Sequence, residues 1–163
     1  PPSRVSTWGD DAGRLGAGVF GTVVVGADGS DSVARAVDCT RDLAARCDAT
    51  VHALYVRNDS RIVTLPERLH DDVRTALDEQ GETALDSVVQ ANETVDSSVD
   101  IETAVRVGQP AKQILSYVRE IDADGIAMGT RGRSGEHSFL LGSVAERIVR
   151  TCPVPVLTVR QLD

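Results

Sequence analysis

The chain has 163 residues, enough for one domain with its own core, and 41% hydrophobic content marks it as globular. Its formal charge is −8, from 25 acidic and 17 basic residues, a sign that opposes the phosphate contacts of non-specific nucleic-acid binding. No apolar run reaches bilayer length and no basic-then-apolar leader opens the segment, so it reads as soluble and cytoplasmic, with no insertion into a membrane.

Residues 1–21 are rich in Gly, Ser and Asp and poor in core pattern, and read as a tail or linker ahead of a domain at 22–163. Gly16-Ala-Gly-Val-Phe-Gly21 matches GxGxxG. It precedes the first strand, whereas a dinucleotide fingerprint follows one, so it is set aside. Thr22-Val-Val-Val-Gly-Ala27 is a continuous apolar run, suited to a parallel strand covered on both faces. It ends at Asp28. Val33, Ala36, Val37, Leu43, Ala44 and Cys47 then recur at helical spacing. Thr50–Val56 is the second strand, 57–65 a loop, and Pro66 starts a helix to about Gln90 with Leu69, Val73, Leu77, Leu85 and Val88 inward. Val99, Ile101, Thr103, Val105 and Val107 alternate as the third strand. Gly108-Gln-Pro110 turns into a helix carrying Ile114, Leu115, Val118 and Ile121. Residues 124–128 form the fourth strand, a helix starts at 143, and the last strand is 154–159. Five strands alternating with four helices predict an α/β, doubly wound, mostly parallel sheet with helices on both faces.

The chain is organised around Met128–Ser143, a long loop between a strand end and a helix start, with glycines at 129, 132, 135 and 142. Glycines allow positive φ and close ligand approach. A helix start offers free N–H groups and a positive dipole end, and Arg131 and Arg133 add charge; all of this suits phosphate. The competing reading is local: Ser143-Val-Ala-Glu146 fits a capping box, which would merely satisfy the helix start. The loop lacks GxxxxGK[ST], so it is not a Walker-type P-loop.

Two residues separate Gly129 from Gly132, nine separate Gly132 from Gly142, and Ser143 follows. This G-x2-G-x9-G-[ST] spacing resembles the signature of ATP-binding members of the universal stress protein family. The runs Gly129-Thr-Arg-Gly-Arg-Ser-Gly135, Gly142-Ser-Val-Ala-Glu-Arg-Ile148 and Cys152-Pro-Val-Pro-Val-Leu157 look typical of it too. The resemblance covers about residues 22–160. It implies an adenine nucleotide alpha hydrolase-like fold with strand order 3-2-1-4-5, and hence a switch point between the first and fourth strands, where such sheets bind ligands. It further implies ATP as ligand, with Gly129, Gly132, Arg133, Gly142 and Ser143 at the phosphates and ribose and the Val56 main chain at adenine. Asp28 would accept ribose hydroxyls or hold a hydrated Mg2+; the alternative is a turn aspartate. Gly26-Ala27 departs from the family's frequent Pro and Thr, and Ala145 supplies no hydroxyl. A homodimer through the last strand, Val154–Val159, is also implied; Pro155 suits a sheet edge.

Three functions stay open. One is an ATP-binding stress-response module acting through nucleotide-dependent partner contacts. The second is a weak ATP hydrolase or nucleotidyl-transferring enzyme on the same fold; the third is a soluble regulatory domain of a larger transporter. Fold alone does not separate them. A phosphoryl-transfer enzyme needs a positioned base with metal ligands. No such set stands out in the sequence, so no catalytic residue is assigned and binding is favoured. His52, within a strand, and His70 read as structural, and His137 lies in the loop. Cys39, Cys47 and Cys152 show no metal spacing and read as buried thiols.

Lys112 is the only lysine, and aspartate outnumbers glutamate. Together with the acidic balance this resembles proteins of salt-loving microbes; a high-GC genome would also favour Arg over Lys. Self-repulsion of an acidic surface is screened by salt. The melting temperature should therefore rise by many degrees between dilute buffer and molar KCl. A melting point indifferent to KCl would reject the halophile reading.

Overall fold

The computed structural model describes residues 20–94, 99–130 and 141–160. Trp8, Arg131, Gly132, Arg133, Gly135 and His137 lie outside the described residues. The elements are β1 (Thr22–Gly26), α1 (Asp31–Cys47), β2 (Thr50–Arg57), α2 (His70–Glu93), β3 (Ile101–Val107), α3 (Pro110–Glu120), β4 (Gly125–Gly129), α4 (Ser143–Thr151) and β5 (Val156–Val159). The strands form one sheet, ordered β3-β2-β1-β4-β5, with every pairing parallel. Fold class and strand order are as the sequence and the resemblance led one to expect.

Side chains of successive strand residues point to opposite faces. Val23 and Val25 of β1 therefore join Val51, Ala53 and Tyr55 of β2 in one core layer, against Val33 and Val37 of α1 and Leu85 and Val88 of α2. Val24, Leu54, Ile126 and Met128 face the other way, onto Ile114, Leu115 and Val118 of α3 and Ala145 and Ile148 of α4. The chain thus winds outward from β1 to β3 under one pair of helices. It then crosses back on the other face to β4 and β5. The reversal falls between β1 and β4. Asp124 pins these two strands at their starts, its Oδ2 accepting the N–H groups of Gly21 and Thr22 at 2.8 and 3.0 Å.

Several local expectations are corrected. Residues 57–65 are not simply a loop: Asp59–Thr64 is a 3-10 turn whose Asn58 side chain accepts the Ser60 N–H, and Ile62 is buried to 1% exposure. A single apolar anchor in a polar stretch carries no periodicity, so pattern reading passes over it. The α-helix begins at His70, after a 3-10 turn at Glu67–Leu69, and that change of winding leaves Leu69 exposed. β5 starts at Val156 because Pro155 has no N–H to give the ladder. Cys39 is exposed and Cys47 and Cys152 half-buried, so none is the fully buried thiol expected. Phe20, assigned to the tail, packs on the core. Gly81, in mid-α2, faces the buried ring of Tyr55. A Cβ there would stand 2.4 Å from Cδ1 and Cε1.

Candidate nucleotide site at the switch point

β1 and β4 pair as Val23↔Gly125 through Val25↔Ala127. Carrying that offset onward sets Asp28 level with Thr130, at the strand C-termini where the winding reverses. The β1–β2 register ends at Gly26↔Leu54, with the Ala27 N–H on the Leu54 carbonyl at 2.8 Å. The Arg57 carbonyl takes the Gly108 N–H on the β3 side. Backbone groups of a parallel strand alternate sides. The N–H and C=O of Val56 therefore point towards β1, past the end of that ladder and into the same crevice.

Asp28 is half-buried, and its Oδ1 accepts the Ser30 N–H at 2.8 Å. The turn role is thus real, supported by Gly29 at φ 76°. It engages one oxygen and leaves Oδ2 outside that bond. Gly129 is the buried last residue of β4, paired with Val159.

At the far side of the loop the competing capping-box reading fails. Gly142 is the N-cap residue of α4, at φ −59° and ψ 151°, and Ser143 is already the first helical residue. A capping box needs its Ser at the cap. Gly142 has no side chain with which to cap. The first intrahelical bond runs from the Glu146 N–H to the Gly142 carbonyl at 2.8 Å. The N–H groups of Ser143, Val144 and Ala145 therefore precede the helical ladder, at the positive dipole end. Neither Gly129 nor Gly142 has positive φ, so the conformational argument for glycine does not hold at either. What remains there is close approach.

Thr130, which the sequence reading did not single out, closes the base of the loop. Its carbonyl accepts the Gly142 N–H at 2.8 Å, and its own N–H reaches the Val159 carbonyl at 3.1 Å. These bonds tie the start of α4 to the end of β4. A second missed group sits beside Val56. Arg57 donates to Asp59 at 2.8 Å and to both oxygens of Asp78 at 2.7 and 2.9 Å. Those bonds push its guanidinium pKa up from the ordinary value. Its position directly after a strand, two residues before an aspartate, was the available signal.

His52, on β2, and His70, at the start of α2, have structural partners. His52 Nδ1 lies 3.0 Å from the Tyr117 hydroxyl, and His70 Nε2 lies 2.9 Å from the Leu65 carbonyl. Among the described residues no group of three or more His, Cys, Asp or Glu could hold a metal. No described helix is long and apolar enough to cross a membrane. A hollow of about 250 Å3 lies at the opposite end of the sheet, between α1 and the starts of β4 and β5. Its lining of Phe20, Leu43, Ile126 and Leu157 is almost wholly apolar, so it does not suit a charged nucleotide.

Residues 20–160 match the Universal stress protein family. A universal stress protein of Methanocaldococcus jannaschii is 36% identical over 149 residues, covering 91% of this chain and 86% of that protein. The structure of universal stress protein UspA from Lactobacillus plantarum superposes with a TM-score of 0.76 at 26% identity, covering 86% of this chain and 98% of the other. A universal stress protein solved in complex with cAMP superposes at 0.61 with 29% identity, covering 86% and 97%.

Proposed function

The chain belongs to the universal stress protein family, and from that premise we propose that it is a cytoplasmic ATP-binding module whose partner contacts depend on the bound nucleotide. The observation that carries the reading is the start of α4, which no side chain among the described residues caps. The N–H groups of Ser143, Val144 and Ala145 stand ahead of the helical ladder, tied by the Gly142–Thr130 bond to the C-terminal edge of β4. A triphosphate is the ligand such donors suit. In this reading Gly129, Gly132, Arg133, Gly142 and Ser143 surround the phosphates and ribose. The Val56 main chain meets adenine, and the remaining oxygen of Asp28 takes a ribose hydroxyl or a hydrated Mg2+. The cAMP complex of a structural neighbour supports an adenine nucleotide as the ligand class. The test is mass spectrometry of whatever is released on denaturing the purified protein, followed by titration of the stripped protein with ATP, AMP and cAMP. ATP should be recovered, or should bind tightest. A stripped, folded protein that binds none of them ends the reading.

The domain at 22–163 and a homodimer through β5 belong to the same proposal. β5 is an edge strand, and Leu157 on it is exposed. An apolar edge invites pairing with a copy of itself. Light scattering in molar KCl should give at least twice the monomer mass at micromolar concentration; the monomer mass would count against the β5 contact.

A further inference from the structure

The sheet has a second edge, β3. The Gly108 N–H and the Asp100 carbonyl both bond to β2, at 2.9 Å each. By strand alternation the even-numbered residues of β3 turn their backbone groups inward. Ile101, Thr103, Val105 and Val107 turn theirs to the open side. This edge contains no Pro and no Lys, two residues that commonly guard exposed edges. Val105 and Val107 are 53% and 48% exposed.

The strand is also self-complementary. Antiparallel pairing of two copies about an axis through Ala104 sets Ile101 opposite Val107 and Thr103 opposite Val105. All four are outward-facing, so each pair can exchange two N–H···O=C bonds. The same register sets Glu102 of each copy opposite Arg106 of the other. These are non-hydrogen-bonded positions, where side chains lie closest. Sliding to the next register of equal parity shortens the overlap and separates the charges. Both charged groups are available at the rim. The Glu102 side chain is 68% exposed. Arg106 lies over the Tyr117 ring at 5.2 Å and bonds Glu120 at 2.6 Å. A guanidinium carries five donors, so a second carboxylate can be taken.

We propose that β3 is a homotypic interface: it pairs antiparallel with β3 of a second copy about a two-fold axis at Ala104, continuing the sheet across both chains. The contact is independent of the nucleotide reading and distinct from β5. Where both edges pair, closed dimers give way to longer assemblies.

Sedimentation velocity of Glu102→Arg and Arg106→Glu, alone and mixed, tests it. Each variant alone sets like charges opposite each other, and its β3 association should weaken at least tenfold. The mixture restores both ion pairs, so heterodimers should form. A second arm uses Ala104→Cys in a Cys39→Ser background, under mild oxidation by oxidised glutathione. Facing non-hydrogen-bonded residues have Cα atoms about 4.5 Å apart, within disulfide reach of roughly 4.4–6.8 Å. A dimer linked through the introduced thiols should appear, whereas Thr103→Cys, which faces Val105, should give none. Circular dichroism confirms folding of each variant. Single variants that associate like the parent, a mixture without heterodimers, or equal cross-linking of the two cysteine variants would each overturn the β3 interface.

Discussion

Gly142→Val binds ATP at least tenfold more weakly than the parent in calorimetric titration, a loss of about 1.4 kcal/mol or more, while circular dichroism shows an intact fold. The backbone at Gly142 makes this a clean test. At φ −59° and ψ 151° it sits where valine is comfortable, so substitution introduces no strain there. Losing glycine for valine at the N-cap costs the helix on the order of 1 kcal/mol or less. The expected loss of affinity comes instead from a β-branched side chain standing before the Ser143, Val144 and Ala145 N–H groups. Gly142→Ser, a better cap than glycine or valine, should be at least as stable as the parent and still bind less tightly. Gly132→Val rests on the motif spacing alone and should behave like Gly142→Val. Arg133→Ala should weaken binding less, because exposed charge contacts are screened. Asp28→Asn keeps the oxygen that takes the Ser30 N–H and removes the charge, so it should lower affinity more with Mg2+ than without. Glycine variants that stay folded and bind ATP like the parent would defeat the phosphate-loop assignment.

Gly81→Ala should destabilise the protein, although helix propensity alone says the reverse. Replacing a mid-helix glycine by alanine normally gains roughly 1 kcal/mol. Here the new methyl would stand 2.4 Å from two carbons of the Tyr55 ring. That ring is buried, and its hydroxyl donates to the Leu77 carbonyl at 2.8 Å, so it cannot swing aside without losing the bond. Overpacking of this kind costs about 1–3 kcal/mol. The net should be a loss of up to about 2 kcal/mol, and a melting temperature lower by several degrees. Shortening the ring in Tyr55→Leu makes room. The double variant should therefore be more stable than the sum of the single effects, a favourable coupling between neighbours. An additive cycle, or a Gly81→Ala protein more stable than the parent, would show that α2 shifts freely over β2.

The organising loop was legible because its spacing is a property of the chain itself. Asp28 was singled out because it ends an apolar run, whereas Val56 came from the family resemblance and not from the pattern of the chain. The structure brings the ends of β1 and β2 and the start of α4 to one edge of the sheet, leaving Gly132 and Arg133 outside the described residues. The competing capping box offered itself because Ser143 and Glu146 satisfy it by type. Whether a serine is N-cap or first helical residue depends on where the helix starts. That start is held by the Gly142–Thr130 bond, which connects residues on either side of the loop.

The sequence by itself determined the alternation of strand and helix, because side-chain period follows directly from backbone geometry: 2 for a strand and 3.6 for a helix. It determined that β1 is buried on both faces, since Val23, Val24 and Val25 leave no polar side for solvent. Tertiary structure alone decided the rest. It decided that Ile62 is core, that Gly81 packs against the Tyr55 ring, and that Asp124 clamps the start of β1. It also decided that the outward backbone groups of β3 belong to Ile101, Thr103, Val105 and Val107. Each depends on a contact between residues distant in the chain, and local periodicity carries no information about which distant residue will arrive.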